Sequence, residues 1–160
     1  MVKLLLAGTG LIGHRHMQHI LEHPDLELVG VIDPLITDEK IEGVKTYHSL
    51  NDVSNVAEGI ILATPTETHA DLTIQSLEMG LHVLVEKPVA ASLPEADKMI
   101  RASEKTGLSI LVGHHRRHHP LVNETINIIK SGKIGRPVAA SLMWLMRKQD
   151  EYFDVEWRKG

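Results

Sequence analysis

Cysteine is absent from the 160-residue chain, which excludes disulfide bonds and thiolate chemistry and is typical of a protein in a reducing compartment. Long hydrophobic runs are also absent, because no apolar stretch approaches the roughly 20 residues of a membrane span. The short apolar run at the N-terminus differs from a signal peptide, since it leads directly into a glycine-rich loop. We therefore expect a cytoplasmic protein without a membrane partner.

The chain has only a small excess of negative charge, with a formal net charge of −4. This balance gives no electrostatic reason to expect a nucleic acid as partner. Hydrophobic residues make up 42% of the chain and charged residues 24%, as in ordinary soluble proteins. A chain of this size buries roughly 68–70% of its unfolded surface, which suffices for the core of one domain or slightly more.

Short β-rich runs alternate with helical patterns up to Gly113. This order is typical of βαβ units and predicts an α/β fold with a doubly wound parallel Rossmann sheet of about six strands. The runs are continuously apolar, as expected for strands covered on both faces. The clearest are VKLLLAG, LELVGVID, GIILATP, LHVLVEKP and LSILVGH. The stretch from Pro34 to Tyr47 is weaker and predicts one helical turn before a short strand at Lys45–Tyr47.

The motif GTGLIG follows the first predicted strand and opens a helix. Gly8 permits a tight turn, Gly10 lets the backbone approach a pyrophosphate, and Gly13 allows the helix to pack closely on the strand. The helix N-terminus then presents free N–H groups and a positive dipole end to phosphate. A purely structural glycine turn is the alternative, but strand, glycines and helix stand in the order that dinucleotide binding requires.

An aspartate, Asp33, ends the second predicted strand. Its carboxylate can accept hydrogen bonds from both hydroxyls of an adenosine ribose, and it would repel a 2′-phosphate. No arginine follows Asp33 in the next loop. These features favour NAD over NADP as the cofactor, with a solvated surface aspartate as the alternative.

The segment ATPTETH, residues 63–69, follows the fourth predicted strand, where the strand order of such a sheet reverses. Ligands bind at the carboxyl ends of strands at such a switch point. Thr64 and Thr66 could donate hydrogen bonds to ribose or phosphate, whereas Thr68 is better interpreted as the cap of the following helix. For His69, in the first helical turn, ligand contact and internal packing remain equally open.

The tripeptide EKP, residues 86–88, follows the fifth predicted strand at the same edge. We expect Lys87 near the nicotinamide end of a dinucleotide, where burial and a cationic ring would both disfavour its ammonium form. A general base for an alcohol proton requires that property. Pro88 would restrict the backbone and so fix the direction of the lysine. From spacing alone, a surface lysine that ends a strand is an equal alternative.

The segment HHRRHH, residues 114–119, contains histidines at the i, i+4 spacing of some metal sites. Two arginines in its middle oppose cation binding, and no carboxylate lies nearby in sequence, so we expect no metal. Among the other histidines, His16 alone is expected to approach the cofactor, because it lies just beyond the glycine loop.

The pattern changes after Gly113. A helix is predicted to end at Gly132, followed by a strand over Pro137–Met146 that is apolar on both faces. Such a strand needs cover on both sides, which the remaining residues cannot provide. We therefore assign residues 1–118 to an NAD-binding Rossmann domain and residues 119–160 to a linker helix and the first strand of an incomplete second domain, so that the chain is expected to be a fragment.

In this order, the motifs GTGLIG, VIDP, ATPTETH, VEKP and VGHHRRHHP resemble those of the Gfo/Idh/MocA family of NAD(P)-dependent oxidoreductases. The resemblance continues into KSGKIGRPVAA and YFDVEWRKG, and so covers nearly the whole chain. It implies a Rossmann domain followed by an α+β domain with a large open sheet. It also implies oxidation or reduction of a hydroxyl or carbonyl carbon on sugars, inositols or related polyols, by a homo-oligomer such as a dimer or tetramer.

The resemblance further implies roles for single residues. Lys87 would assist proton transfer, Glu86 would help to position the cofactor, and the Lys87–Pro88 peptide would be cis. Arg117 and Trp157–Arg158 would lie near the nicotinamide half or the substrate. The family's catalytic Asp or Asn and His would follow Gly160 and cannot be assigned here. Motifs and resemblance together predict these cofactor-binding residues: Gly8, Thr9, Gly10, Leu11, Ile12, Gly13, Asp33, Ala63, Thr64, Pro65, His69, Glu86, Lys87 and Arg117.

Two functions from different classes follow from the sequence. The first is an NAD-dependent dehydrogenase of a small polyol or sugar-like substrate, with the 160-residue chain alone expected to be inactive. The second is a dinucleotide-binding sensor or regulatory module without catalysis. A homodimer held by the apolar strand over Pro137–Met146 is compatible with either function.

Overall fold

The computed structural model describes residues 1–54, 56–143, 145–147 and 154. The chain divides into two compact units, Met1–His115 and Arg116–Gly160. Among the described residues, no helix has the length and apolar character that crossing a bilayer demands.

Strands and helices alternate along the first unit. The strands are β1 (Val2–Ala7), β2 (Leu26–Ile32), β3 (Lys40–Ile41), β4 (Val44–Tyr47), β5 (Gly59–Leu62), β6 (His82–Val85) and β7 (Ile110–Val112). The helices are α1 (Leu11–Glu22), α2 (His69–Glu78) and α3 (Leu93–Thr106), with short 3₁₀ turns at Leu50–Asp52 and Thr66–Thr68.

The strands form one sheet in the order β3-β4-β2-β1-β5-β6-β7. All neighbouring pairs are parallel except β3 with β4. The chain moves outward from β1 to β4 and then returns to β5 on the other side of β1, so the strand order reverses between β1 and β5. The predicted doubly wound Rossmann sheet is confirmed.

A β-hairpin replaces the helical turn that was predicted before Lys45. Strands β3 and β4 pair antiparallel across the two residues Glu42 and Gly43, which have φ angles of 51° and 79°. Positive φ at both central residues is the geometry of a tight type I′ hairpin. The helical prediction is wrong because glycine at the second turn position allows this reversal and the edge of β2 offers backbone partners.

The sheet is covered on both faces, which explains its continuously apolar strands. Along β1, Leu5 and Ala7 belong to one core cluster and Leu6 belongs to the other. Helix α1 buries Met17 and Ile20 in the cluster of Leu6. Leu77 of α2 and Met99 of α3 lie in the opposite cluster, with side chains about 1% exposed. Each such buried side chain stabilises the fold by about 1.5–3 kcal/mol.

The second unit contains α4 (Pro120–Lys130), which ends before Gly132 at a φ of 75°. Residues 137–143 and 145–147 do not form the strand that was predicted for Pro137–Met146. A strand is stabilised by backbone pairing with a neighbour, and within the described residues no strand pairs with this segment. Trp144, near the end of the predicted strand, lies outside the described residues.

Candidate functional site

Four parallel strands of the first unit end side by side at one edge of the sheet. Ala7 of β1 lies opposite Ile32 of β2 and Leu62 of β5, and Leu62 lies opposite Val85 of β6. Three inter-strand spacings, about 14 Å in total, separate the outer two strands. The residues that follow the four strand ends therefore form a row in the order Asp33, Gly8, Ala63 and Glu86.

The glycine loop is packed tightly against its surroundings at two of its three glycines. A Cβ at Gly8, whose φ is 92°, would lie 2.5 Å from the carbonyl oxygen of Ala63. A Cβ at Gly13 would lie 1.9 Å from the carbonyl oxygen of Gly8. Both contacts are with main-chain atoms, so these glycines allow α1 and the loop after β5 to approach the end of β1.

Open space lies at the third glycine. A Cβ at Gly10 would meet no atom within 4 Å, and its backbone has φ −66° and ψ −175°, which any residue can adopt. The first turn of α1 contains no acidic side chain, and its N-cap makes no side-chain hydrogen bond. The first N–H groups of a helix have no intrahelical acceptor, so this open edge suits a phosphate.

Asp33 is tied to the glycine loop by its carboxylate. Oδ2 accepts hydrogen bonds from the Thr9 N–H at 2.9 Å and from the Thr9 hydroxyl at 2.6 Å, and Oδ1 accepts one from the Leu35 N–H at 2.9 Å. Burial raises the pKa of Asp33, but the hydrogen bonds from the Thr9 hydroxyl and the two N–H groups outweigh it, so the pKa lies below its usual value. The carboxylate is thus held ionised at the end of β2.

Asp33→Asn is expected to flatten the acid side of the stability profile. Because the folded-state pKa of Asp33 is below the unfolded one, ionised Asp33 stabilises the fold above about pH 4, and this stabilisation is lost as the pH falls through the folded-state pKa. The free energy of unfolding of the variant should therefore decline less steeply below about pH 4. Urea unfolding at a series of pH values measures both slopes, and equal slopes would contradict the role of these hydrogen bonds.

The loop after β5 is ordered by its own threonines. The Thr68 hydroxyl lies 2.7 Å from the Thr64 hydroxyl oxygen and 2.8 Å from the carbonyl oxygen of Pro65. Thr68 occupies the N-cap position of α2 but makes no side-chain cap hydrogen bond. The predicted cap is wrong because the preceding 3₁₀ turn already gives Thr68 a helical backbone, with φ −95° and ψ −9°.

His69 is buried beneath the row of strand ends, with a side chain 1% exposed. Its Nδ1 lies 2.9 Å from the carbonyl oxygen of Pro88, and its Nε2 lies 2.9 Å from the carbonyl oxygen of Thr64. A direct polar contact with a dinucleotide would require one of these contacts to be given up. Of the two alternatives that the sequence left open, the geometry supports internal packing.

The Glu86 carboxylate is held from three sides and its side chain is 13% exposed. Oε1 lies 3.0 Å from Nε2 of His16 on α1, and Oε2 accepts a hydrogen bond from the Lys87 N–H at 3.2 Å. A Cβ at Gly113 would lie 2.8 Å from Oε1, so a larger residue there would displace the carboxylate. His16 contacts Glu86, the acid that was predicted to position the cofactor, and its own approach to the cofactor stays a prediction.

Lys87 is exposed on the loop that follows β6. The Lys87–Pro88 peptide is cis, as the resemblance implied. The expected burial of Lys87 is wrong for this structure, because the residue lies one position beyond the row of strand ends, on the open edge of the sheet. Its neighbours in the chain are both anchored, Glu86 through its carboxylate and Pro88 through its carbonyl oxygen.

Three further predicted residues follow the first unit in the sequence. Arg117 belongs to the second unit, in an exposed 3₁₀ turn over His115–His118, and its contact with a cofactor stays a prediction. Trp157 and Arg158 lie outside the described residues. Within the part of the chain that the structure describes, no three His, Asp or Glu side chains come together as metal ligands.

The chain is similar to known proteins in sequence and in structure. The family model for "Oxidoreductase family, NAD-binding Rossmann fold", Gfo/Idh/MocA, matches residues 2–114. The chain is 32% identical over 141 residues to 4-carboxy-2-hydroxymuconate-6-semialdehyde dehydrogenase of Sphingobium sp., covering 83% of this chain and 44% of that protein. It is 31% identical over 147 residues to scyllo-inositol 2-dehydrogenase (NAD(+)) of Bacillus subtilis, covering 86% of this chain and 42% of that protein.

A solved structure gives the same picture. The WlbA dehydrogenase from Bordetella pertussis, crystallised with NADH and UDP-GlcNAcA, superposes with a TM-score of 0.78 at 29% identity. The superposition covers 84% of this chain and 41% of the other. The chain thus spans less than half the length of the relatives that it matches.

Proposed function

Because this chain belongs to the Gfo/Idh/MocA family of NAD-binding oxidoreductases, we propose that it forms the cofactor-binding part of an NAD-dependent dehydrogenase. Its reaction would be the transfer of a hydride between nicotinamide and a hydroxyl or carbonyl carbon of a polyol or sugar-like substrate. One observation carries the proposal: Asp33, the glycine loop and the EKP segment follow strands whose ends lie side by side along one edge of the sheet.

The residues at this edge suit the successive parts of a dinucleotide. Asp33 would accept a hydrogen bond from one adenosine ribose hydroxyl, since a carboxylate has about four lone-pair positions and three are in use, which leaves one. The open space at Gly10 and the N–H groups of α1 would hold the pyrophosphate. The loop over Ala63–Pro65 and Glu86 would contact the nicotinamide half.

The chemistry divides between cofactor and protein. Nicotinamide, when bound, exchanges the hydride. Lys87 would take the proton from the substrate hydroxyl in oxidation and return it in reduction, which positions it as the general base and acid. Its exposure in this structure leaves the Nζ free to meet a substrate, and the anchored neighbours Glu86 and Pro88 limit where the main chain of Lys87 can move.

We infer that residues 1–160 belong to a longer, cytoplasmic enzyme, and that a further domain of this enzyme supplies the substrate site. The relative in Bacillus subtilis is named for scyllo-inositol and NAD(+), which supports a polyol class of substrate. Exposed apolar side chains on α4, among them Leu121, Ile126 and Ile129, support an oligomer.

Calorimetric titration of the 160-residue chain with NAD, NADP and ADP tests the proposal. We expect NAD to bind, and NADP to bind at least about tenfold more weakly, because the Asp33 carboxylate opposes a 2′-phosphate. Asp33→Ala should weaken NAD and ADP binding alike and narrow the gap between NAD and NADP. Absence of NAD binding, or equal affinity for both dinucleotides, would contradict the assignment.

Measurement of NADH formation distinguishes a dehydrogenase from a dinucleotide-binding sensor. Binding of NAD without formation of NADH in the presence of polyols is expected for the 160-residue chain. The same outcome in the longer protein, tested with inositols and sugars, would favour a sensor or regulatory module.

A further inference from the structure

We propose that His69 is a positioning residue that joins the loop after β5 to the EKP loop and so holds the latter in place for the nicotinamide half of the cofactor. The inference rests on the proposed function, because it concerns how that site is assembled. In this role His69 acts on the cofactor site through Thr64 and Pro88, and not by its own contact with the dinucleotide.

The imidazole of His69 bridges two loops that follow neighbouring strands. Thr64 lies two residues after the end of β5, and Pro88 lies three residues after the end of β6. The ring contacts the carbonyl oxygens of both at 2.9 Å, and the side chain is 1% exposed. A single buried ring thus sets the separation between the loop of the switch point and the loop of Lys87.

Hydrogen-bond chemistry makes this bridge specific to histidine. Both groups that face the ring are acceptors, so each contact needs a proton on the ring nitrogen. A neutral ring donates to one carbonyl, and the doubly protonated ring donates to both. An apolar side chain of similar volume would leave carbonyl oxygens without this donor, which is unfavourable where water is excluded.

The contact of His69 holds the residue on the C-terminal side of Lys87, whereas Glu86 lies on its N-terminal side. Glu86 is held by His16 of α1 on the N-terminal side of Lys87. Pro88 is held by His69 of α2 on the C-terminal side. Because Lys87 itself is exposed, its main-chain position depends on these two neighbours, and loss of the His69 contact with Pro88 would loosen the EKP loop.

The amide side chains of asparagine and glutamine separate the two contacts. The asparagine –NH₂ lies near the position of Nδ1 and can donate to Pro88, whereas the glutamine –NH₂ lies near that of Nε2 and can donate to Thr64.

We expect His69→Ala to weaken NAD binding about tenfold and ADP binding less than about twofold, because ADP uses the glycine loop and Asp33 but not the EKP loop. His69→Asn should retain NAD affinity within about threefold of the wild type, and His69→Gln should resemble His69→Ala.

The measurement is calorimetric titration of each 160-residue variant with NAD and with ADP, well below its thermal unfolding transition. Leu77→Val is the matched control, since Leu77 is buried on the same helix and its apolar side chain cannot donate a hydrogen bond to either loop. It should lower the thermal stability and leave the ratio of NAD to ADP affinity unchanged. The ratio is therefore the readout that a purely structural role of His69 would not alter.

Each outcome decides the inference. Equal losses of NAD and ADP affinity in His69→Ala, or His69→Asn no better than His69→Ala, would overturn it. If the wild type binds NAD and His69→Ala binds it equally well, only this inference fails. If the wild type binds neither nucleotide, the proposed function fails and the inference with it.

Discussion

Gly13→Ala is expected to lower the free energy of unfolding of the chain by about 3 kcal/mol or more. The added Cβ would lie 1.9 Å from the carbonyl oxygen of Gly8 and 2.8 Å from its carbonyl carbon. Both atoms belong to the main chain, so relief requires α1 to move away from the end of β1. That movement would also disturb the contacts of Met17 and Ile20 in the core. Urea unfolding followed by circular dichroism measures the loss.

Gly10→Ala is the matched control within the same loop. Its Cβ would meet no atom within 4 Å, and its backbone angles suit any residue, so stability should change by less than about 0.5 kcal/mol. NAD affinity should nevertheless fall at least about tenfold, because the methyl group would occupy the space required by the pyrophosphate. The two variants therefore separate packing from binding. A stable Gly13→Ala, or a Gly10→Ala that binds NAD as the wild type does, would contradict these assignments.

Lys87→Met in the longer protein is expected to lower kcat by about 10²–10⁴-fold, the usual contribution of a general base or acid. Methionine retains much of the length of the side chain and removes its amine. NAD affinity should stay within about threefold, because the anchored contacts on either side of position 87 remain in place. Steady-state formation of NADH together with direct titration of NAD separates the two effects.

Two further substitutions show what the amine does. Lys87→Arg retains the positive charge but cannot give up its proton at physiological pH, so it should be about as slow as Lys87→Met if proton transfer is the role. Lys98→Met removes an exposed lysine from α3 and should leave kcat unchanged. Turnover of Lys87→Met at the wild-type rate would refute the assignment of Lys87. Recovery of activity in Lys87→Arg would indicate that charge, and not proton transfer, is what matters.

Several features of this molecule were evident from short stretches of sequence. The glycine loop and the aspartate at the end of β2 are local patterns, because each requirement concerns a few residues and the turn that they must form. Continuous apolar runs predicted strands covered on both faces, and the two core clusters have that arrangement. The hairpin around Glu42 and Gly43 was missed because the neighbouring edge of β2 provides its partners.

Contacts between segments that are distant in the sequence could not be predicted from such local patterns. His16 and Glu86 are 70 residues apart in the chain, and His69 and Pro88 are 19 apart. For His69, ligand contact and internal packing were two alternatives that sequence spacing could not separate. Burial and hydrogen-bond partners decide such questions, and both depend on which strands are neighbours.

The sequence by itself determined the fold class, the glycine loop and the residues at the strand ends, because periodicity and turn chemistry act over a few neighbouring residues. Only the tertiary structure decided how these residues come together. The parallel register aligns the ends of β2, β1, β5 and β6 in one row, and Lys87 projects beyond that row. Two histidines from different helices hold the residues on either side of Lys87. The physical reason is that hydrogen bonds and burial depend on distance in space, which the order of residues along the chain does not specify.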